Sequence, residues 1–240
     1  MLFLVDAQAT SLPSAVSFAR APLSLPVMGI DPTEVVRSGY NALSRLYRGD
    51  DDTSGQYDGW LDDLLACLPE RGQVLDVGCG CGVPVARRLS DAGHQVTGVD
   101  VSDVQIERAR ALVPGADFIR ADATALDLPD TSFDAVVCLY ALIHMPLDRQ
   151  PRLLENIARW LRPGGRLLAT TGQDAWTGSS DDWLGGTATM WWSQTDAATY
   201  RAWLQRNGLE VTEQQFVPDG GSGHALFWAR KRSGPPDLSV

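Results

Sequence analysis

The chain has 240 residues, 44% of them hydrophobic and 21% charged, enough to bury one sizeable globular core. Its net charge is −10 and its only lysine is Lys231, so a groove tracking a phosphate backbone is disfavoured and no nucleic-acid partner is expected. No apolar run approaches the roughly 18 residues of a membrane span, and no membrane partner is expected either.

In chain order, residues 1–27 open with a short apolar stretch that no positive charge precedes, a poor signal peptide. Ser, Ala and Pro dominate the remainder of this segment, which predicts a weakly ordered extension with Met28 as the natural start. Asp31 followed by Pro32 is a good helix start. Val35, Val36, Tyr40, Leu43 and Leu46 then fall near helical spacing, as do Trp60, Leu61, Leu64, Leu65 and Leu68 in 57–68. Residues 30–70 are therefore expected to form an N-terminal helical cap.

From residue 73 short apolar runs alternate with helical stretches. Strands are expected at 73–78, 94–100, 116–121, 132–140 and 166–172. Helices are expected at 83–92, 102–112 and 148–161, the last ended by "RPGG" at 162–165. This rhythm indicates a parallel sheet covered on both faces. A helix over 195–208 precedes two strands, 209–217 and 223–231, joined by a Gly-rich link that suits an antiparallel hairpin. Residues 173–194 show no clean period and carry four tryptophans. Residues 232–240 form a tail.

"VLDVGCGCG" (74–82) lies where the first strand gives way to a helix. Glycines there let a ligand approach the backbone at the carboxyl edge of a parallel sheet. Gly78 and Gly80 fit the first two glycines of a dinucleotide fingerprint, but its last glycine position holds Val83. Pro84 also removes a backbone N–H at the helix start. Together these point to a nucleoside ligand without a pyrophosphate. Asp100 ends the second strand, where a carboxylate accepts from ribose hydroxyls. Asp122 follows the third, where it can accept from an exocyclic amine. The plainer readings are a solvated strand-end acid and a helix cap. Cys79 and Cys81 are separated by one residue and the chain holds no second such pair, so small packing residues are expected rather than a metal site. Nothing suggests a disulfide framework, and a cytoplasmic location is expected.

"VLDVGCGCG", "VTGVDVS", "RADATAL", "LPDTSFDAVVC" and "LRPGGRLL" together resemble, in order, the motifs of class I S-adenosylmethionine-dependent methyltransferases, over roughly residues 30–231. The resemblance implies an α/β, Rossmann-like, doubly wound sheet of seven strands in the order 3-2-1-4-5-7-6, with strand 7 antiparallel. It implies S-adenosyl-L-methionine as cofactor and S-adenosyl-L-homocysteine as product. Asp76 and Gly78 would lie near the methionine amino end and Gly80 near the sugar. Asp100 would hold the ribose, Val101 would pack on adenine, Asp122 and Ala123 would meet its edge, and Leu139 would line the methionine side. An aromatic from the N-terminal helix, Tyr40 or Tyr47, would close over the cofactor. Metal-dependent catechol-type members carry an acid after strand 4, where this chain has Cys138, Leu139 and Tyr140. No metal is therefore expected.

Methyl transfer from a sulfonium needs alignment above all, and a general base where the acceptor must lose a proton. Tyr140, His144 and His224 are the candidates. Trp176, Trp183, Trp191 and Trp192, in the 173–194 insertion, are expected to wall a small, largely apolar acceptor, with a hydrophobic mini-core as the alternative. The rival functions are S-adenosylmethionine chemistry without methyl transfer, such as cyclisation, and cofactor binding without catalysis.

Overall fold

The structure, a computed structural model, describes residues 31–52 and 55–234. The expectations for residues 1–27, Met28 and the end of the tail lie outside the described residues.

Helix α1 runs from Pro32 to Tyr47, started by Asp31, whose side chain accepts from Thr33 N at 3.0 Å. Helix α2 is Asp58–Cys67. Then come β1 (Gln73–Val77), α3 (Val85–Asp91), β2 (Gln95–Asp100), α4 (Asp103–Leu112), β3 (Asp117–Arg120), β4 (Phe133–Cys138), α5 (Gln150–Trp160) and β5 (Leu161–Gly172). A hairpin of β6 (Trp176–Ser180) and β7 (Met190–Gln194) precedes α6 (Ala197–Arg206), β8 (Leu209–Asp219) and β9 (Ser222–Lys231).

Seven strands form one sheet in the order β3-β2-β1-β4-β5-β9-β8. With the separate β6–β7 hairpin set aside, this is the expected 3-2-1-4-5-7-6 order. Strand β9 is antiparallel to both β5 and β8, while β1–β5 are mutually parallel. Alternation along the strands builds two cores. Leu75, Val77, Val136 and Cys138 face one layer with Leu153, Ile157 and Trp160 of α5 and Tyr200 of α6. Val74, Ala135 and Val137 face the other, with Leu61 and Leu64 of α2, Leu89 of α3 and Ile106 of α4.

Three expectations need correction. "RPGG" does not end α5 as a turn. The helix stops at Trp160, and 161–165 already belong to β5, because Leu161 pairs with Phe133 before a register shift leads to the Ala135–Arg166 pair. Helix α2 belongs to the core layer of the sheet, so of the two N-terminal helices it is α1 that caps the cleft at the sheet's carboxyl edge. The 173–194 segment is not irregular. It is an antiparallel hairpin pairing Trp176 with Gln194 through Ser180 with Met190.

The hairpin and α1 share a third core: Val36 and Leu43 of α1, Ile143 of the loop after β4, and Trp183, Met190 and Trp192. Gly39 permits the close approach. A Cβ there would lie 2.8 Å from Thr189 O and 2.9 Å from Met190 Cε.

Candidate active site

Strand β1 ends at Val77, and the chain turns through Gly78, Gly80 and Gly82 at φ of 72°, 54° and 78°. That region is open to glycine and strained for most side chains. At Gly78 space is also decisive, since a Cβ would fall 2.2 Å from the Ala141 Cβ. The N–H groups of Gly78 and Cys79 donate to Val99 O at 2.7 and 3.0 Å, folding the loop over the end of β2. Cys79 and Cys81 are buried in this turn as free thiols. Among the described residues no group of His, Cys, Asp or Glu is arranged to hold a metal ion.

Beyond this loop lies a cleft at the carboxyl ends of β1 to β4, about 670 Å³ with the open solvent at its mouth included. A second lobe of about 380 Å³ runs under the glycine loop and shares Tyr47, Gly78, Gly80 and Leu139 with the first. Asp100, Val101, Asp122 and Ala123 line the main cleft, and Asp76 lines the second lobe. Every candidate of the cofactor set thus lines one or other of these two adjoining hollows.

The three acids differ in their surroundings. Asp100 accepts from Gly80 N at 2.9 Å and Ser102 N at 2.8 Å, yet burial still pushes its carboxyl up to about 6. Asp76 is buried, its Oδ2 has no hydrogen-bond partner among the described residues, and burial followed by the nearby Asp100 charge pushes it up to about 8. Asp122 is half-buried. It caps the short turn Ala123–Ala125 through Thr124 N at 2.8 Å and pairs with Arg149 at 3.5 Å. The cap and the cleft lining are both present in that one side chain.

Tyr40 and Tyr47 of α1 roof the cleft, ring centroids 5.2 Å apart. Tyr40 Oη lies 3.0 Å from His144 Nε2, and His144 Nδ1 lies 2.8 Å from Trp191 O. A carbonyl only accepts, so Nδ1 carries the proton and Nε2 accepts from the Tyr40 hydroxyl. Burial pushes this imidazole down to about 4, so it is neutral near pH 7.

Tyr140 also lines the cleft, at a left-handed φ of 57°, with its hydroxyl accepting from Gln56 Nε2 at 2.7 Å. His224 does not line it. It stacks edge-on behind Tyr140 at 5.1 Å and contacts Asp219 through Nε2 at 3.3 Å. Nor does any of the four tryptophans line the cleft. Trp183 and Trp192 are buried in the α1–hairpin core, with Trp176 and Trp191 packed against it. They stand behind Tyr40 and His144, at centroid distances of 5.5 Å for Tyr40–Trp183 and for His144–Trp192.

Sequence reasoning missed Gln105, Arg48, Arg108 and Arg149. Gln105 and Arg48 line the two lobes. Arg108 clamps the end of α1, donating to Ser44 O and Arg48 O, both at 2.8 Å. Arg149 ties the start of α1, through Thr33 Oγ1 at 3.3 Å, to Asp122. Only the helical position of Gln105, one turn beyond Asp100, hinted at any of this.

Residues 74–165 match the profile of a methyltransferase domain. The 27-O-demethylrifamycin SV methyltransferase of Amycolatopsis mediterranei (strain S699) is 44% identical over 114 residues, 44% of this chain and 41% of that protein. O-methyltransferase resE of Aspergillus sclerotiorum is 44% identical over 102 residues, 39% and 37% of the two chains. The chain thus spans about two fifths of the length of these curated relatives. In overall shape it is similar to the [4+2]-cyclase SpnF, with a TM-score of 0.65, 23% identity, and 85% of this chain and 98% of that one covered. It is likewise similar to magnesium protoporphyrin IX methyltransferase (ChlM) from Synechocystis PCC 6803, with a TM-score of 0.63, 20% identity, and 85% and 99% coverage. Residues 74–165 thus carry a methyltransferase domain, and the motif order and strand order support a class I S-adenosylmethionine-dependent methyltransferase.

Proposed function

We propose that the protein is a metal-independent methyltransferase that uses S-adenosylmethionine to methylate an acidic hydroxyl, a phenol or enol, on a small uncharged organic molecule. The observation that carries this reading is the Tyr40–His144 pair beside a cleft whose cofactor side holds three acids in strand order.

The cleft suits the cofactor. Asp76 Oδ2 is a buried acceptor without a protein partner among the described residues, which fits an ammonium group. Asp100 offers a carboxylate already oriented by two backbone N–H groups, which fits a ribose diol. Ala123, Val101 and Asp122 suit an adenine with its exocyclic amine. When bound, S-adenosylmethionine supplies a methyl on a sulfonium, already activated for in-line displacement.

The chain then has two tasks, to align the acceptor and to take its proton. Among the described residues no Lys or Arg lines the main cleft, so an acceptor carboxylate or phosphate finds no counter-charge there. The Tyr40 hydroxyl passes its proton to His144 Nε2 as it takes one from the acceptor, and Trp191 O steadies the imidazolium through Nδ1–H. An imidazole held down to about 4 is too weak a base for an aliphatic alcohol, which is why the reading favours an acidic hydroxyl. The hairpin's part is to hold that carbonyl and to back the aromatic wall. O-methyltransferases among the relatives, including one named for a rifamycin, support the same reaction and a secondary-metabolite acceptor. The free cysteines support a reducing, cytoplasmic setting.

The test is a mass-spectrometric screen of metabolite extracts for a product heavier by CH₂, with S-adenosylhomocysteine formed in equal amount. A substrate converted without S-adenosylhomocysteine would refute methyl transfer.

A further inference from the structure

Gln150, the first residue of α5, is completely buried, and the reaction described above makes no use of it. One end of its amide lies 2.9 Å from Leu142 O, 2.8 Å from Met145 O and 2.8 Å from Ser193 O. Carbonyls only accept, so that end is the NH₂ group, and its two hydrogens serve three carbonyls. The other end, Oε1, accepts from the Tyr200 hydroxyl of α6 at 2.6 Å. A buried amide used at both ends is fixed in direction as well as in place.

The three carbonyls belong to the parts that set the imidazole. Leu142 opens the single helical turn Leu142–His144, and Met145 follows it. Ser193 lies two positions beyond Trp191 on β7, and carbonyls two apart on a strand point to the same edge. His144 Nδ1–H donates to Trp191 O, and Gln150 Nε2–H donates to Ser193 O. Two side chains thus grip successive carbonyls of one edge, as a neighbouring strand would. The third core brings the hairpin near, but apolar contact has no direction. A hydrogen bond has one.

We propose that Gln150 is a positioning residue for methyl transfer: it locks β7 against the His144 turn, so that Trp191 O keeps the His144 proton on Nδ1 and leaves Nε2 bare for the Tyr40 hydroxyl. The proposal rests on the reading of Tyr40 and His144 as the groups that take the acceptor's proton. Without the amide, Trp191 O is no longer held on the ring, and the proton is free to move to Nε2. An Nε2–H cannot accept from Tyr40, and the relay stops. Helices α5 and α6 therefore act on the reacting hydroxyl through one imidazole.

The experiment is nitrogen-15 NMR of the histidine rings near pH 8, above the usual imidazole range and far above that of His144. His94 Nδ1 accepts from Gly72 N at 3.1 Å, and a neutral His224 gives its Nε2–H to Asp219 at 3.3 Å. Both carry the proton on Nε2, so the Nδ1–H form is expected of His144 alone and should vanish in His144→Gln. Gln150→Met keeps the length of the side chain and removes its polar atoms. In it the ratio of the Nδ1–H to the Nε2–H form of His144 should fall about three- to tenfold. Gln150→Glu keeps the shape and, neutral when buried, offers one hydrogen in place of two, so part of the same fall is expected. It decides the matter if Gln150→Met does not fold. An unchanged ratio in the folded variant would overturn the proposal and leave the Tyr40–His144 reading standing. A wild-type His144 protonated on Nε2 would overturn that reading, and the proposal with it.

Discussion

Asp76 should make cofactor-site binding steeply dependent on pH. Its carboxyl is buried, stands near Asp100, has one oxygen without a partner among the described residues, and is held up to about 8. Near pH 7 about nine-tenths of it is protonated before a ligand enters. An ammonium set against Oδ2 requires the carboxylate, so binding must expel that proton. Well below pH 8 each unit then weakens binding about tenfold, or about 1.4 kcal/mol, and the affinity for S-adenosylhomocysteine should fall about fiftyfold from pH 8 to pH 6 through Asp76 alone. Asp100, held up to about 6, adds about a further factor of two by pH 6 and more below it. Titration calorimetry in two buffers of different ionisation enthalpy reads the proton directly, with close to one released by Asp76 per ligand at pH 6 and about half at pH 8. Asp76→Asn should keep only the smaller fall due to Asp100 and bind about 1.5–3 kcal/mol more weakly at pH 8. A wild-type affinity that is level from pH 6 to pH 8, or an undiminished fall in Asp76→Asn, would refute the argument.

Asp100→Ala should weaken S-adenosylhomocysteine binding by about 1.5–3 kcal/mol in the same titration, and unchanged affinity would take Asp100 out of the site. The His144 imidazole titrates near 4 in the folded chain and near 6.5 when unfolded. The unfolded chain therefore binds more protons between these values, and the His144 contribution to stability rises with pH through that window. Relative to His144→Gln, the wild type should lose about 3 kcal/mol on going from pH 6.5 to pH 4, read from urea midpoints; parallel curves would count against a buried neutral imidazole. The rise in rate through the usual imidazole range that the sequence suggests should also be missing, leaving kcat level from pH 5.5 to pH 8. Amides of 176–180 and 190–194 should be protected from hydrogen exchange without any ligand, since the hairpin ladder and its core are already formed. Protection that arises only on adding ligand would restore a segment that orders on capture.

The sheet and the acids at its edge were legible because they are local. Each strand is an apolar run, and Asp100 and Asp122 sit at or just beyond the ends of two successive runs, where their placement marks them, while Asp76, inside β1, was marked only by the family resemblance. The hairpin was hidden because its pattern is mixed. Met190, Trp192 and Ser193 are buried while Trp191 between them is only partly so, and Gly and Ser in the partner strand read as loop. The roles of Tyr40, Gln105 and Arg108 depend on partners 104, 61 and 64 positions away. No window along the chain contains both ends of such a contact. The tryptophans misled for a different reason. Aromatic residues in a long segment suggest a ligand wall, and only packing shows that these rings form the backing and that a backbone carbonyl of Trp191 reaches His144.

The third core has a consequence for how this scaffold can be re-engineered. Its buried members come from α1, the β6–β7 hairpin and Ile143 alone, and none belongs to the seven-stranded sheet. The roof is thus a unit with its own interior, carried by α1 and the hairpin with Ile143 between them, and α1 and the hairpin are keyed to each other at Gly39. Exchanging α1 or the hairpin singly for a foreign sequence breaks that interior, whereas exchanging both as a matched pair leaves the two sheet cores untouched. A variant that changes the hairpin alone should therefore lose stability in the roof, and a compensating change on α1 should restore it.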